Sequence, residues 1–297
     1  MPNSRSQRLA PLALIGVAVV WGAAFVLMKD AIKAQPIFDF LGTRFVIAAA
    51  VMLLAKPKAL AKVSRKLVWQ GIALGCLLGI AYYTQTVGLA LSTAAIAGFL
   101  TGLYVVLSPL FIWLFLKKKV DRRVIIGVVF ATVGLGFISI TGLSFELPHL
   151  WLIACAVFFS LHIVGLARWS PGQDAYALTV IQLGTMGVIY MAIALGKGYV
   201  APSGFDGWFA ILFTAVFSTA VAFFVQTWAQ GIMDSSRVAI YLTTEVIAAA
   251  AIAVAVGQEV LQFKTILGGA LMLLAMLVVE APIPGRTREI PIESLPH

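Results

Sequence analysis

The chain is a succession of apolar runs, each about as long as a bilayer is thick and each closed by Pro, Gly or clustered charge. The first five are Leu9–Met28, Phe38–Leu54, Val68–Leu89, Ala94–Leu116 and Val124–Thr141. Five more occur at Leu150–Ala167, Ala175–Leu195, Trp208–Ala229, Val238–Val256 and Thr265–Val279. Breakers such as Pro36, Pro57, Pro148, Pro171, Pro202 and Gly257 separate them. In hydrocarbon a backbone must satisfy its own N–H and C=O groups, so such runs must be helices. Ten spans use roughly 200 residues and leave no room for a separate soluble domain. The charged fraction, 11%, is too small to cover a soluble surface, where about 25% is usual. Disorder is excluded too, because 61% of the residues are hydrophobic. The expected fold class is therefore all-α integral membrane, with ten transmembrane helices.

The net charge of +9 reads as a topology signal rather than a nucleic-acid footprint, because basic residues punctuate the apolar runs instead of forming a stripe. With the N-terminus inside, the cytoplasmic side carries Arg5, Arg8, Lys56, Lys58, Lys62, Arg65, Lys66, Lys117, Lys118, Lys119, Arg122, Arg123, Arg168, Arg237, Arg286 and Arg288. The outside carries Lys29, Lys33, Lys197 and Lys264, and Arg44 falls within a span. This 16-to-4 asymmetry predicts both termini in the cytoplasm. The run from Leu9 is too long for a signal h-region and is taken as the first span. The Pro-rich, charged stretch 281–297 is expected to be a disordered cytoplasmic tail. Cys76 and Cys155 form neither a metal spacing nor a disulfide framework. No P-loop, His-Glu-x-x-His, Gly-x-Ser-x-Gly or paired carboxylate is present, so neither an enzyme nor a cofactor is expected.

An internal repeat sets the expected architecture. A shift of 141 lays Tyr82-Tyr83-Thr84-Gln85-Thr86 over Phe223-Phe224-Val225-Gln226-Thr227 and Gly127 over Gly268. Five spans is an odd number, so the two copies, 1–142 and 143–280, must lie in opposite orientations.

Several short segments carry a family resemblance. The first span holds Val20-Trp21-Gly22-Ala23-Ala24-Phe25, and the second half opens with Phe158-Phe159-Ser160-Leu161-His162 and ends that span at Arg168. Tyr104, Ser108-Pro109 and Glu245 fall on the fourth helix of each copy. With the ten-span plan, these resemble the EamA-type carriers of the drug/metabolite transporter superfamily over nearly the full chain. Among them the chain is most similar to the YddG-like bacterial exporters of aromatic amino acids. His162 and Phe159 depart from the Tyr and Trp usual at those places in the family. The resemblance implies a monomeric inner-membrane carrier of amino acids, aromatic ones first, exported by alternating access. Its cavity would be built from the first, third, fourth, sixth, eighth and ninth spans.

Glu245 is the acid within the middle of a span, where a carboxylate costs several kcal/mol unless it is paired, protonated or facing water. It reads as a proton carrier or as the partner of a substrate ammonium; the alternative is a packing acid. Gln85 and Gln226 occupy equivalent places in the two copies and offer both donors and acceptors; interhelical bonding is the alternative. Trp21, Tyr82, Tyr83, Tyr104, His162 and Tyr241 are the candidate cavity aromatics, with Trp228 in the same mid-span group and Thr244 beside Glu245. Such rings suit a ring-bearing zwitterion, or else form an interfacial belt. Trp69, Trp151 and Trp208, at span starts, are assigned to the belt. His162 lacks neighbouring ligands for a metal, and Arg44 and Lys29 are expected to snorkel to the interface. Pro109 is expected to kink its helix, and Gly71, Gly75 and Gly79, with Gly98 and Gly102, to allow close helix packing. Rival readings are an EamA-type carrier for another metabolite or a drug cation, and an integral-membrane enzyme on lipid-linked substrates. A phosphate-bearing solute would need a basic residue in the cavity, and the sequence offers none beyond Arg44.

Overall fold

The computed structural model describes residues 4–91, 97, 100–139, 147–255 and 263–280, and every regular element among them is helical. The connection Ser92-Thr93, Gly98 and the stretch 281–297 lie outside the described residues. The helices are α1 (Ser4–Ala34), α2 (Ile37–Ala55), α3 (Arg65–Leu91), α4 (Tyr104–Leu116), α5 (Arg122–Ser139), α6 (Leu147–Trp169) and α7 (Ala175–Gly196). Then come α8 (Gly204–Ala215), a π-helical turn (Val216–Val221), α9 (Ala222–Ile232), α10 (Ser235–Leu242), α11 (Thr244–Ala255) and α12 (Phe263–Glu280).

Among the described residues, five helices are long and apolar enough to cross a bilayer: Ile37–Ala55, Arg65–Leu91, His149–Trp169, Ala175–Gly196 and Gly204–Ile232. Leu9–Phe25, Leu100–Leu116 and Ile266–Ala275 are shorter apolar helices. The outward faces are apolar as well, with Leu12, Leu54, Val188 and Phe205 exposed, as a multi-pass protein solvated by lipid requires.

Three of the apolar runs are not uniform helices. The run Trp208–Ala229 contains the π turn. The run Val238–Val256 is interrupted at Thr243, where Val246 N–H bonds the Thr243 carbonyl at 3.1 Å. The fourth run is interrupted in the same way at Leu103, whose carbonyl accepts from Val106 N–H at 3.0 Å. These three-residue bonds tighten the helix locally and re-aim the next helical segment. The interruption thus lies six residues before Pro109, and α4 continues through the proline. Asp234 caps α10 by accepting from Ser236 and Arg237 N–H, and Asp174 caps α7 by accepting from Tyr176 and Ala177 N–H.

The helices pack in pairs that answer one another. α2 lies on α7, and α5 lies on α12. α3 packs on α6 and α7, while the α8–α9 segment packs on α1 and α2. α1 packs on α11, and α6 on α4. Small residues permit the tightest of these contacts. Gly71 and Gly75 of α3 sit against Ile181, Gln182 and Thr185 of α7. A Cβ on Gly42 would stand 3.1 Å from the Met191 backbone, and one on Gly187 would stand 3.0 Å from Val46 N. Gly22 faces Glu245, Ala248 and Ala249, and a Cβ there would lie 2.6 Å from Ala249 N. Across the molecule, Ser160 Oγ meets the Tyr104 carbonyl and Ser108 Oγ, each at 3.1 Å.

The α2–α7 pair is tied at both ends. At one end Asp39 accepts from Val200 N–H (2.8 Å), Gln35 Nε2 donates to the Val200 carbonyl (2.7 Å), and the Thr43 and Tyr199 hydroxyls bond at 2.8 Å. At the other end Tyr176 OH donates to the Met52 carbonyl (2.6 Å) and Lys56 lies 3.5 Å from Asp174. Two large apolar clusters result. One gathers Phe40, Phe45, Tyr82 and Phe223; the other gathers Leu14, Val105, Ile240 and Tyr241. Trp21 and Phe159 pack against both, so the seam between the clusters runs past these two rings.

Candidate solute-binding site

The seam opens into a cavity enclosing about 550 Å³ of space, open mouth included. α1 contributes Trp21, Ala24, Phe25 and Met28; α2 contributes Arg44; α3 contributes Tyr82 and Gln85. The interrupted fourth run contributes Thr101 and Tyr104, and α6 contributes Phe159 and Ile163. The π turn contributes Ser218, α9 Gln226, α10 Leu242 and α11 Glu245.

Five of its lining residues are aromatic, Trp21, Phe25, Tyr82, Tyr104 and Phe159, and Phe223 packs against this ring cluster. Trp21 and Phe223 have ring centroids 5.5 Å apart, as do Tyr82 and Phe159, and Tyr82 and Phe223 lie 5.8 Å apart edge to face. Edge-to-face and tilted rings at these separations are favourable beyond their buried area. Trp21 Nε1 donates to the Ser218 carbonyl at 2.8 Å, which fixes the indole against the π turn.

Polar groups on the cavity are under-satisfied. The Glu245 carboxylate and the Gln85 amide have no side-chain hydrogen-bond or ion-pair partner among the described residues. Gln226 Nε2 donates to Gln230 Oε1 at 3.2 Å, but Gln226 Oε1 and Tyr104 OH are buried without a partner. Buried polar atoms are nearly always paired, so orphaned groups among the lining of one cavity mark a place for a polar guest.

Arg44 is the residue that the sequence places wrongly. Instead of snorkelling, it is 1% exposed and lines the cavity. Its Nε donates to Thr219 Oγ1 at 2.7 Å, Nη2 to Ser218 Oγ at 3.2 Å and Nη1 to Met28 Sδ at 3.1 Å. The guanidinium lies 5.1 Å from the Tyr82 ring centroid and 5.5 Å from that of Phe45. The second span, absent from the expected wall, is therefore part of it. With Arg44 in that wall, an anionic solute no longer lacks a basic partner.

The structure brings Trp21, Tyr82, Gln85, Tyr104, Gln226 and Glu245 together on the cavity, and leaves four other sequence candidates off it. Tyr83 turns away to stack on Phe38 at 4.9 Å and meet Trp151 edge-on at 6.0 Å. His162 is fully buried behind the wall, with Nε2 2.7 Å from Gln182 Oε1. Tyr241 is buried in the second apolar cluster, and Thr244 Oγ1 donates to its carbonyl at 2.6 Å, at the helix interruption. Trp228 packs on that same cluster, and Trp69, Trp151 and Trp208 stand on the exterior. Thr101, Phe159, Ile163 and Ser218 are lining residues that the sequence reading passed over. Phe159 had a signal, since it lies one helical turn before Ile163 and faces the same way.

A family model described as the EamA-like transporter family matches residues 8–140 and again 147–280. A protein from Archaeoglobus fulgidus described as an uncharacterized transporter is 33% identical over 274 residues, covering 91% of this chain and 85% of that one. The uncharacterized transporter YvbV of Bacillus subtilis is 24% identical over 227 residues, covering 75% of this chain and 71% of its own length. A solved structure titled only "Crystal structure of protein" superposes with a TM-score of 0.76 at 20% identity, over 92% of this chain and 96% of that chain.

Proposed function

The chain belongs to the EamA-like transporter family, and on that premise we propose a secondary carrier that moves neutral amino acids, aromatic ones first, out of the cytoplasm by alternating access. The observation that carries this reading is the unpartnered Glu245 carboxylate on a cavity lined in part by aromatic rings, which also holds the orphaned Gln226 Oε1 and Tyr104 OH. Together they form an acceptor-rich wall for an ammonium group, beside rings that stack on an aromatic side chain. A simple hydrocarbon guest would leave these acceptors unpaired.

In the same reading the membrane part is ten spans in two inverted repeats, 1–142 and 143–280, seated in the cytoplasmic (inner) membrane as a monomer with both termini inside. Reciprocal contacts support it. Gly42 touches residues three and four places after Gly187, and Gly187 touches residues three and four places after Gly42. Tyr82 paired with Phe159, and Phe223 with Trp21, are matched contacts of the same separation. The interruptions at Leu103 and Thr243 fall on the corresponding spans, next to Tyr104 and Glu245. Rocking of the two apolar clusters about the Trp21–Phe159 seam would expose the cavity to each side in turn.

Arg44 favours a second reading, a carrier for organic anions, in which Glu245 is protonated. The full chain in liposomes, without nucleotide, separates the two. Phenylalanine or tryptophan is expected to move down its own gradient; absence of flux for both overturns the amino-acid reading.

A further inference from the structure

We propose that Arg44 is a carboxylate-binding subsite, built by the π turn Val216–Val221 and roofed by Tyr82, which fixes the orientation of the solute in the cavity. The inference rests on the reading of this cavity as the solute site and deepens it.

A guanidinium that serves only to hold helices together is ordinarily paired with a carboxylate or with several backbone carbonyls. Arg44 has neither among the described residues. Its acceptors are the Thr219, Ser218 and Tyr82 hydroxyls and the Met28 thioether, and a thioether sulfur is a weak acceptor. These bonds hold the guanidinium by all three of its nitrogens, and none of the partners carries the negative charge that would neutralise it. A solute carboxylate would supply that charge through a charge-assisted bond.

The π turn explains how the side chain is held ready. Its wider winding presents Ser218 and Thr219, adjacent in sequence, to different nitrogens of the same guanidinium. The Ser218 carbonyl is meanwhile held by Trp21 Nε1. The Tyr82 ring beside the guanidinium stabilises its charge. A fully desolvated cation fixed from behind and open toward a cavity favours an anionic group over a neutral one. The same cavity is lined by Glu245, Gln226 and Tyr104, whose oxygens supply acceptors, so the carboxylate end of a solute would pair with Arg44 and its ammonium end with Glu245.

The test uses the full chain reconstituted in liposomes. Phenylalanine, phenylacetate and phenylalaninamide are compared as inhibitors of tracer phenylalanine counterflow and as ligands in thermal-shift titrations. Wild type is expected to bind the two carboxylates at least about tenfold more tightly than the amide, the discrimination of one charge-assisted bond. Arg44→Gln abolishes this preference, and Arg44→Lys, which keeps the charge without the fork, retains part of it. If Arg44→Gln fails to fold, Ser218→Ala with Thr219→Val is expected to weaken the preference by the same route. Equal binding of amide and carboxylates by wild type overturns the subsite. So does a preference unchanged in both Arg44→Lys and the Ser218–Thr219 double variant. If phenylalanine is not transported but phenylacetate binds in an Arg44-dependent way, the amino-acid reading falls and the subsite stands. If neither compound binds, both fall.

Discussion

Gly42 and Gly187 face one another where α2 crosses α7, each seated against the backbone downstream of the other: Gly42 on Tyr190 and Met191, Gly187 on Phe45 and Val46. No side chain separates the helices there, and Arg44 leaves α2 within one turn of this crossing. The crossing therefore sets how far Arg44 projects into the cavity.

A methyl group at either glycine must force the helices apart. Gly187→Ala is expected to cost about 1–3 kcal/mol, the usual range for overpacking. It should also lower transport, because Arg44 moves with α2. Gly184 is on the same helix, and a Cβ there meets nothing within 4 Å. Gly184→Ala should stabilise by up to about 1 kcal/mol, through helix propensity alone. Thermal unfolding in detergent compares the pair. Equal effects at 184 and 187 would contradict the close-contact account.

The tie at the Gln35 end of α2 makes a second prediction. Asp39 is 3% exposed and accepts the Val200 amide proton, while Gln35 holds the Val200 carbonyl. Asp39→Ala leaves that amide unpaired and should cost about 1–3 kcal/mol. Hydrogen exchange at Val200 should quicken while the amides of α7 keep their protection. Unchanged exchange at Val200 would show that the bond is not maintained in the membrane.

His162 separates a wall residue from one behind the wall. Its Nε2 bonds Gln182, and its ring meets Phe223 edge-on at 6.2 Å. His162→Gln keeps a polar group toward Gln182 and removes the imidazole ring. The expected result is a lower unfolding temperature with KM for the transported solute unchanged. A KM shift of tenfold or more would place this side chain in contact with solute.

Length and apolarity give away a spanning helix from sequence alone, and an isolated acid such as Glu245 stands out against them. Facing is harder to read, because a helix turns about 100° per residue. Tyr82 lines the cavity while Tyr83 turns to Phe38, and Ile163 lines it while His162 turns to Gln182. α2 is apolar nearly all round, so no stripe marks its inner face, and the position of Arg44 suggests only depth. Depth alone favours snorkelling. The partners that overrule it, Ser218, Thr219 and Tyr82, are remote in sequence and meet Arg44 only after folding.

Glu245 carries the question of coupling. Its carboxylate lies on the cavity with no basic partner among the described residues, so it can take either a proton or the solute ammonium. Glu245→Gln is isosteric and permanently neutral. If Glu245 is the proton carrier, this variant loses accumulation driven by a pH gradient and keeps solute counterflow, because exchange needs no net proton movement. If Glu245 holds the solute ammonium instead, the variant raises KM in counterflow, and no pH gradient drives accumulation even in wild type. The two measurements, made on the same liposomes, assign the residue to one role. A variant indistinguishable from wild type in both would remove Glu245 from the transport cycle altogether.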